Sequence, residues 1–367
     1  MTKPTEKVQV AVVGASGYAG AELLRLLLGH PRVAITAVTS EKSAGSSVAS
    51  VFPHLASVCP LSFEALAPEA IAQRADLVFL ALPHTKSLAP VSVCLAAGKH
   101  VVDLSADYRL KDPGQYETWY HTPHPYHALL KEAVYGLPEL HKDAIRTARL
   151  VASPGCYPTA AILQLAPLAA QGLVQPDSIV IDAKSGVSGA GRSPALAYHF
   201  PEAHESIEAY KVGQHRHIPE IEQELNALAG RHAGKGPHAK AAQDAAKILV
   251  AFTPHLVPMN RGILSTAYCR LKKPLGREEL LALYKDFYKE ARFVRLQDGE
   301  ASANPSHVRG SNFCDLALFT DTRAGWVVTV SAIDNLVKGA AGQAIQAMNL
   351  MLGFPEEMGL LAPGAYP

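Results

Sequence analysis

The first hundred residues alternate between short, unbroken apolar runs and longer stretches whose apolar positions recur every three or four residues. "KVQVAVVGAS" is a β-branched run that stops at Gly14, and "YAGAELLRLLLGHP" has helical spacing and stops at Gly29 and Pro31. "VAITAVTS" and "ADLVFLALP" read as the second and third strands. "SLAPVSVCLAAGKH" reads as a helix with a glycine stop, and "VVDLSADYRL" opens with a fourth strand. Unbroken apolar strands separated by helices predict a parallel, doubly wound sheet with helices on both faces.

From about Leu150 the pattern changes. "SIVIDAKSGVSGAGR", "KILVAFTPHLVP", "GILSTAYCRL" and "WVVTVSAID" are strand-like and too close together for helical crossovers throughout. With the helices "PEIEQELNALAG" and "REELLALYKDFYKEA" they predict a mixed α+β domain. The polar segment Ala229 to Lys247 is expected to be a mobile surface loop. "DNLVKGAAGQAIQAMNLMLGF" is a last helix, expected to return to the first domain. The expected division is residues 1–152, completed by about 336–367, and residues 153–335.

Length and composition fit this picture. The chain has 367 residues, about two domains' worth. A net charge of +1 gives no sign of a nucleic-acid or membrane-surface partner. No apolar run approaches the roughly 20 residues of a membrane helix, and the polar start "MTKPTEKVQV" has no apolar signal core, so a cytoplasmic location is expected. The five cysteines are scattered without CxxC spacing, which argues against a disulfide framework or a thiolate zinc site. Most should be small buried hydrophobes. The cluster "HTPHPYH" (His121 to His127) reads as a proline-rich loop, and no bound metal is expected there or elsewhere.

"VVGASGYAG" places Gly14, Ser16, Gly17, Tyr18 and Gly20 between a strand and a helix. The spacing is GxxGxxG. Glycines there let the backbone approach a pyrophosphate, which the amides of the helix start then face. The second strand runs into "VTSEKSAGSS". Ser40, Lys42 and Ser43 suit the 2′-phosphate of NADP better than the 2′-hydroxyl of NAD, with Glu41 the dissenting residue. "ALPHTKS" follows the third strand, where strand C-termini line the ligand crevice, so Pro83 and His84 are expected near the cofactor.

"ASPGCYPTAAIL" puts Cys156 after a proline and a glycine and at a helix start. Unpaired amides and the helix dipole there stabilise a thiolate. A thiolate used with a nicotinamide cofactor suggests attack on an acyl carbon followed by hydride transfer, which needs an acid/base. "GQHRHIPEIEQEL" offers His215, Arg216, His217 and Glu220. The two histidines point alike only if the backbone is extended there, which Pro219 favours.

These blocks together resemble the N-acetyl-γ-glutamyl-phosphate reductases, of the aspartate-semialdehyde dehydrogenase superfamily. "GASGYAGAELLRLL", "FLALPH", "VVDLSADYRL", "YGLPEL", "PGCYPT", "SGVSGAGR", "YKVGQHRHIPEI", "FTPHLVPMNRGI" and "AIDNLVKGAAGQAIQAMN" carry the resemblance in order over nearly the whole length. Two features depart from it: a long loop from Ala229 to Lys247, and His204 where a residue such as asparagine is expected.

The resemblance implies a Rossmann-like NADP-binding domain and an α+β catalytic and dimerisation domain in a homo-oligomer, dimer or tetramer. It implies NADPH-dependent reduction of the small acyl phosphate N-acetyl-γ-glutamyl phosphate to N-acetylglutamate 5-semialdehyde, in arginine biosynthesis. Cys156 would be the nucleophile and His217 the acid/base, with His215 the alternate and Glu220 orienting it. Arg109, Arg192, Arg216 and Arg261 would be candidates for substrate anions. Ser188 and Gly189 would sit by the nicotinamide, and Asn335, Lys338 and Gly339 would close over the cofactor. The rivals are a lysine-pathway aminoadipyl-phosphate reductase of the same superfamily and a catalytically silent NADP-binding sensor.

Overall fold

A computed structural model describes residues 7–233, 246–298 and 301–366. Most of the segment expected to be a mobile loop, residues 234–245, lies outside the described residues. The chain divides into two compact units, residues 1–155 with 340–362 and residues 156–339 with 363–367.

The first unit holds a six-stranded sheet. Its strands are β1 (Val8–Val13), β2 (Val33–Val38), β3 (Leu77–Leu80), β4 (His100–Asp103), β5 (Val134–Tyr135) and β6 (Leu150–Ala152). They lie in the order β2-β1-β3-β4-β6-β5 and every pairing is parallel. The four residues of β3 are completely buried, which explains their unalternated apolar run: both faces of the sheet are covered. Around the sheet lie α1 (Tyr18–Leu28), α2 (Pro68–Arg74), α3 (Leu88–Ala96) and α4 (Pro138–Arg146). The chain returns to this unit at its end, through a helix at Gly342–Met351 (α8; α5–α7 belong to the second unit) that meets α1, α4 and β4. All ten of its residues are buried, three of them amides. Asn349 Nδ2 donates to the carbonyls of Glu356 and Met358, and Gln346 Nε2 donates to Glu139 Oε1, so the NH₂ groups of these two are satisfied inside the unit.

The second unit holds a seven-stranded sheet: β7 (Ile179–Gly186), β8 (Glu208–Ala209), β9 (Val250–Val257), β10 (Ile263–Cys269), β11 (Val294–Leu296), β12 (Cys314–Asp321) and β13 (Trp326–Ile333). The order is β11-β12-β13-β10-β7-β9-β8. β7 with β9 and β11 with β12 are parallel and the rest antiparallel. Burial alternates along β7 and β10, so one face of the sheet is covered.

The covering helices are α5 (Cys156–Ala170), α6 (Ile218–Ala233) and α7 (Arg277–Phe287). Helix α5 is buried almost throughout and packs on β10, β13, α6 and α7. Polar contacts set its register: Gln164 Nε2 donates to Ser265 Oγ at 2.8 Å, and Ser331 Oγ donates to the Ala160 carbonyl at 3.1 Å. That register places the first residue of the helix, Cys156.

Candidate active site

Cys156 is the one cysteine of five that is not buried. Burial pushes the thiols of Cys94 and Cys269 up, to about 11 and about 12, so both stay protonated and inert. Cys156 instead opens α5, where the positive end of the helix dipole favours a thiolate. The chain passes close behind it at Gly339. A Cβ on that glycine would stand 2.8 Å from the Cys156 Cβ, so only glycine fits without moving the cysteine. Gly339 lies in a π-type turn, Val337–Ala341, a geometry frequent at functional sites.

The residue after the cysteine, Tyr157, organises the histidines. The rings of His215 and His217 meet its ring at 5.7 and 6.0 Å between centroids, and stand 4.6 Å from each other. The backbone there is a turn rather than the extended segment expected from Pro219. Ile218 N donates to the His215 carbonyl at 3.0 Å, and His217 N donates to His215 Nδ1 at 3.1 Å. The turn brings both rings to one side, which the extended backbone was expected to do.

It also fixes the His215 tautomer. Nδ1 accepts, so the proton sits on Nε2. Burial, then the charges of Lys211 and Arg216, lowers the His215 pKa to about 4. Tyr210 donates from its hydroxyl to the Tyr157 hydroxyl at 3.2 Å, and Tyr157 donates to the His255 carbonyl at 3.1 Å. Burial raises both phenols, Tyr210 to about 12, so the pair stays neutral. Glu220 is buried in the first turn of α6, and Arg216 is half-buried between the two histidines in sequence.

Asp334 and Asn335 gather the remaining loops of the second unit. The buried Asp334 carboxylate binds Arg261 in two-pronged fashion at 2.9 and 3.0 Å, and also accepts from the amides of Gly310, Leu336 and Val337. Asn335 Oδ1 accepts from Gly262 N at 2.7 Å and its Nδ2 donates to Ser188 Oγ at 3.0 Å, so its amide braces two loops. Gly189 and Arg192, beyond Ser188, are exposed. Lys338 is fully buried with its Nζ 5.8 Å over the Phe293 ring, facing the interior of the unit.

In the first unit, Gly14 has φ 75°, and a Cβ on it would stand 2.5 Å from the Ala81 carbonyl oxygen. The strand β3 exit therefore lies directly against the glycine loop. Gly17 begins α1 with no side-chain cap, Tyr18 beside it is exposed, and Gly20 fits closely against the Ala15 backbone. The uncapped helix start suits a pyrophosphate. Ser40 is buried, its hydroxyl paired with Ser16 Oγ at 2.7 Å and accepting from Ser43 N, while Glu41 and Lys42 are exposed and Ser43 half-buried.

Pro83 and His84 are exposed on the loop after β3, with His84 Nδ1 accepting from Ala106 N. Arg109 is buried, donating to the carbonyls of Ser153 and Leu104. Sequence reasoning did not single out Tyr157, Tyr210, Asp334 or Asp107, each of which also has a partner 9 to 98 residues away. Among the described residues no group of His, Cys, Asp and Glu could hold a metal, and no helix is long and apolar enough to cross a membrane.

The two units correspond to two matched family models: "Semialdehyde dehydrogenase, NAD binding domain" over residues 9–148 and "Semialdehyde dehydrogenase, dimerisation domain" over residues 156–335. Relatives named N-acetyl-gamma-glutamyl-phosphate reductase align along almost the whole chain. Those of Geotalea daltonii and Geobacter metallireducens are each 54% identical over 98% of this chain and 100% of their own. That of Moorella thermoacetica is 48% identical over the same shares. The fold is also that of aspartate semialdehyde dehydrogenase II from Vibrio cholerae (TM-score 0.67, 16% identity, 95% of this chain and 99% of that one). A Candida albicans aspartate semialdehyde dehydrogenase solved with NADP matches similarly (TM-score 0.66, 16% identity, the same shares). The shared course of the chain and a helix-start thiol followed by a tyrosine that meets two histidine rings agree: this chain belongs to the N-acetyl-γ-glutamyl-phosphate reductase family of semialdehyde dehydrogenases.

Proposed function

We propose that the chain reduces N-acetyl-γ-glutamyl phosphate to N-acetylglutamate 5-semialdehyde through a thioester on Cys156, in arginine biosynthesis. The observation that carries this reading is the helix-start thiol of Cys156, half-buried where the four other cysteines are buried, in a unit where Tyr157 holds two imidazoles. The Cys156 sulfur attacks the acyl carbon, the C–O bond to phosphate breaks, and phosphate leaves with the electron pair. NADPH, when bound, supplies the hydride that reduces the thioester carbonyl. Hydride addition leaves an oxyanion, which takes a proton from the acid/base to give the thiohemiacetal on Cys156; on collapse the oxygen returns that proton, the carbonyl re-forms, the C–S bond breaks, and sulfur leaves as the thiolate.

His217 serves as the acid/base. The reason lies in its neighbour: His215 Nδ1 already accepts from the His217 amide, and its pKa near 4 keeps it neutral. Neutral His215 is thus a donor through Nε2–H, suited to the substrate oxygen rather than to taking a proton. Arg216 and Lys211 add positive charge near an anionic substrate. Arg261 reaches its place on Asp334, and Arg109 and Arg192 complete the set of guanidinium groups proposed for substrate anions. NADP is the preferred cofactor, with exposed Lys42 and the Ser43 hydroxyl for the 2′-phosphate. A homo-oligomer fits the dimerisation model over residues 156–335. A reducing cytoplasm suits an enzyme that depends on a free thiol.

NADPH oxidation with N-acetyl-γ-glutamyl phosphate, and its phosphate-dependent reverse, test the substrate. Turnover is expected with that acyl phosphate and weaker turnover with the one-carbon-longer acetylaminoadipyl phosphate; the opposite order, or none with either, rejects the reading. Single-turnover hydride transfer separates the histidines: His217→Asn should be slower by roughly 10²–10⁴-fold. A normal rate in that variant with a dead His215→Asn would exchange their roles.

A further inference from the structure

Asp107 takes no part in the reaction as derived above, yet it is completely buried on the loop after β4. Its Oδ1 accepts from Thr85 N at 2.6 Å and from the Tyr116 hydroxyl at 3.0 Å. Its Oδ2 accepts from Ser87 N at 2.9 Å. On either side, Ala106 N donates to His84 Nδ1 at 3.1 Å and the Tyr108 hydroxyl donates to the Leu88 carbonyl at 2.8 Å. The segment after β3 is thus tied to the loop after β4 at His84, Thr85, Ser87 and Leu88.

The tied segment carries strain. Thr85 has φ 71°, in the left-handed region that a β-branched residue avoids. Two main-chain N–H groups and a phenol O–H converge on a single side chain, and only a carboxylate offers two acceptor oxygens for them. Asparagine at that position would turn an NH₂ toward one of the N–H groups and leave it unmet. The location is also specific. The segment leaves β3 where the Ala81 carbonyl oxygen closes on Gly14, at the ligand-facing end of the parallel strands.

We propose that Asp107 is a positioning residue that shapes the loop from Pro83 to Ser87, with Thr85 held in the left-handed region, to receive the cofactor. The proposal rests on the reading that the first unit takes NADP(H). The carboxylate touches neither cofactor nor substrate. It acts by holding Thr85 in a conformation the chain would otherwise leave, so that the exposed His84, its Nδ1 accepting from Ala106 N, keeps its place on the loop.

NADPH titration by protein and cofactor fluorescence compares the wild-type chain, Asp107→Asn and Asp107→Asn with Thr85→Gly. Asp107→Asn should weaken NADPH binding by roughly tenfold or more, the effect of losing a charge-assisted contact. Adding Thr85→Gly should restore much of that loss, because glycine visits the left-handed region freely. A residue that merely supports the core would show no such rescue by a backbone change at residue 85. Unchanged affinity in Asp107→Asn, or a loss that Thr85→Gly leaves untouched, overturns the proposal.

Hydrogen exchange on the wild-type chain without NADPH gives a second reading, independent of whether the variants fold. The amides of Thr85 and Ser87 should be protected by roughly a hundredfold or more, since each donates to a buried carboxylate; free exchange at both overturns the clamp. If the wild-type chain does not bind NADPH while these amides are protected, the cofactor reading fails and with it the purpose assigned to Asp107.

Discussion

Replacing Gly339 by alanine adds one methyl group where the structure leaves no space for it. The new Cβ would stand 2.8 Å from the Cys156 Cβ and 3.3 Å from its Cα and from Ile333 Cδ1. Ordinary contact begins near 3.4 Å, so the cysteine or the turn must recede by about 0.6 Å. The cysteine cannot recede alone, because it begins a helix locked to the sheet at Gln164 and Ala160. Overpacking of this kind costs about 1–3 kcal/mol. A nucleophile displaced by a sizeable fraction of an ångström costs on the order of 10–10²-fold in rate. Gly339→Ala should therefore melt a few degrees lower and turn over roughly 10–10²-fold more slowly, with slower alkylation of Cys156 by iodoacetamide. Differential scanning calorimetry, NADPH-oxidation kinetics and peptide mapping of the alkylated chain read the three effects. Wild-type rate and alkylation in a folded Gly339→Ala would refute the reasoning, since the methyl group would then have found room away from the thiol.

Gly14→Ala places a Cβ 2.5 Å from the Ala81 carbonyl oxygen at a positive φ, so NADPH binding should fall by at least roughly tenfold in calorimetric titration, while alkylation of Cys156 is unaffected. Lys42→Ala should weaken NADPH by about tenfold and leave NADH unchanged, and equal loss of both would return Glu41 to consideration as a ribose ligand. His215 is held neutral, its pKa depressed from 6.5 to about 4 by burial and then by Lys211 and Arg216. The stability this reflects is present above pH 6.5 and is lost as pH falls toward 4, by up to about 3 kcal/mol. Urea unfolding at pH 7 and pH 4 should show a smaller loss in His215→Asn than in the wild type, and equal losses would contradict the assigned environment.

The features legible in the sequence were those set by near neighbours. The unbroken apolar run at β3 reported burial on both faces, and the close spacing of the later strand-like runs reported a sheet without helical crossovers throughout. Pro154 and Gly155 before Cys156 marked the helix start because such breakers act locally. What escaped the sequence depends on distant partners. Asp334 meets Arg261 across 73 residues, and Asp107 meets Thr85 across 22, so neither carboxylate could be told from an ordinary surface acid. The turn at His215–Ile218 was misread as extended because Pro219 constrains the residue before it, whereas the His215 ring itself supplies the acceptor that closes the turn. Burial of Lys338 with its Nζ over the Phe293 ring was equally hidden, since a lysine after a strand normally reads as solvated.

The central claim is that the acyl group passes through a covalent bond to Cys156. Intact-mass and peptide-level mass spectrometry of the chain mixed with N-acetyl-γ-glutamyl phosphate, without NADPH, tests it most directly. The account predicts an acyl adduct on the peptide that holds Cys156, formed together with one equivalent of phosphate, absent in Cys156→Ser, and discharged as aldehyde when NADPH is added. Phosphate release only after NADPH, or an adduct on another residue that NADPH discharges equally well, would contradict it.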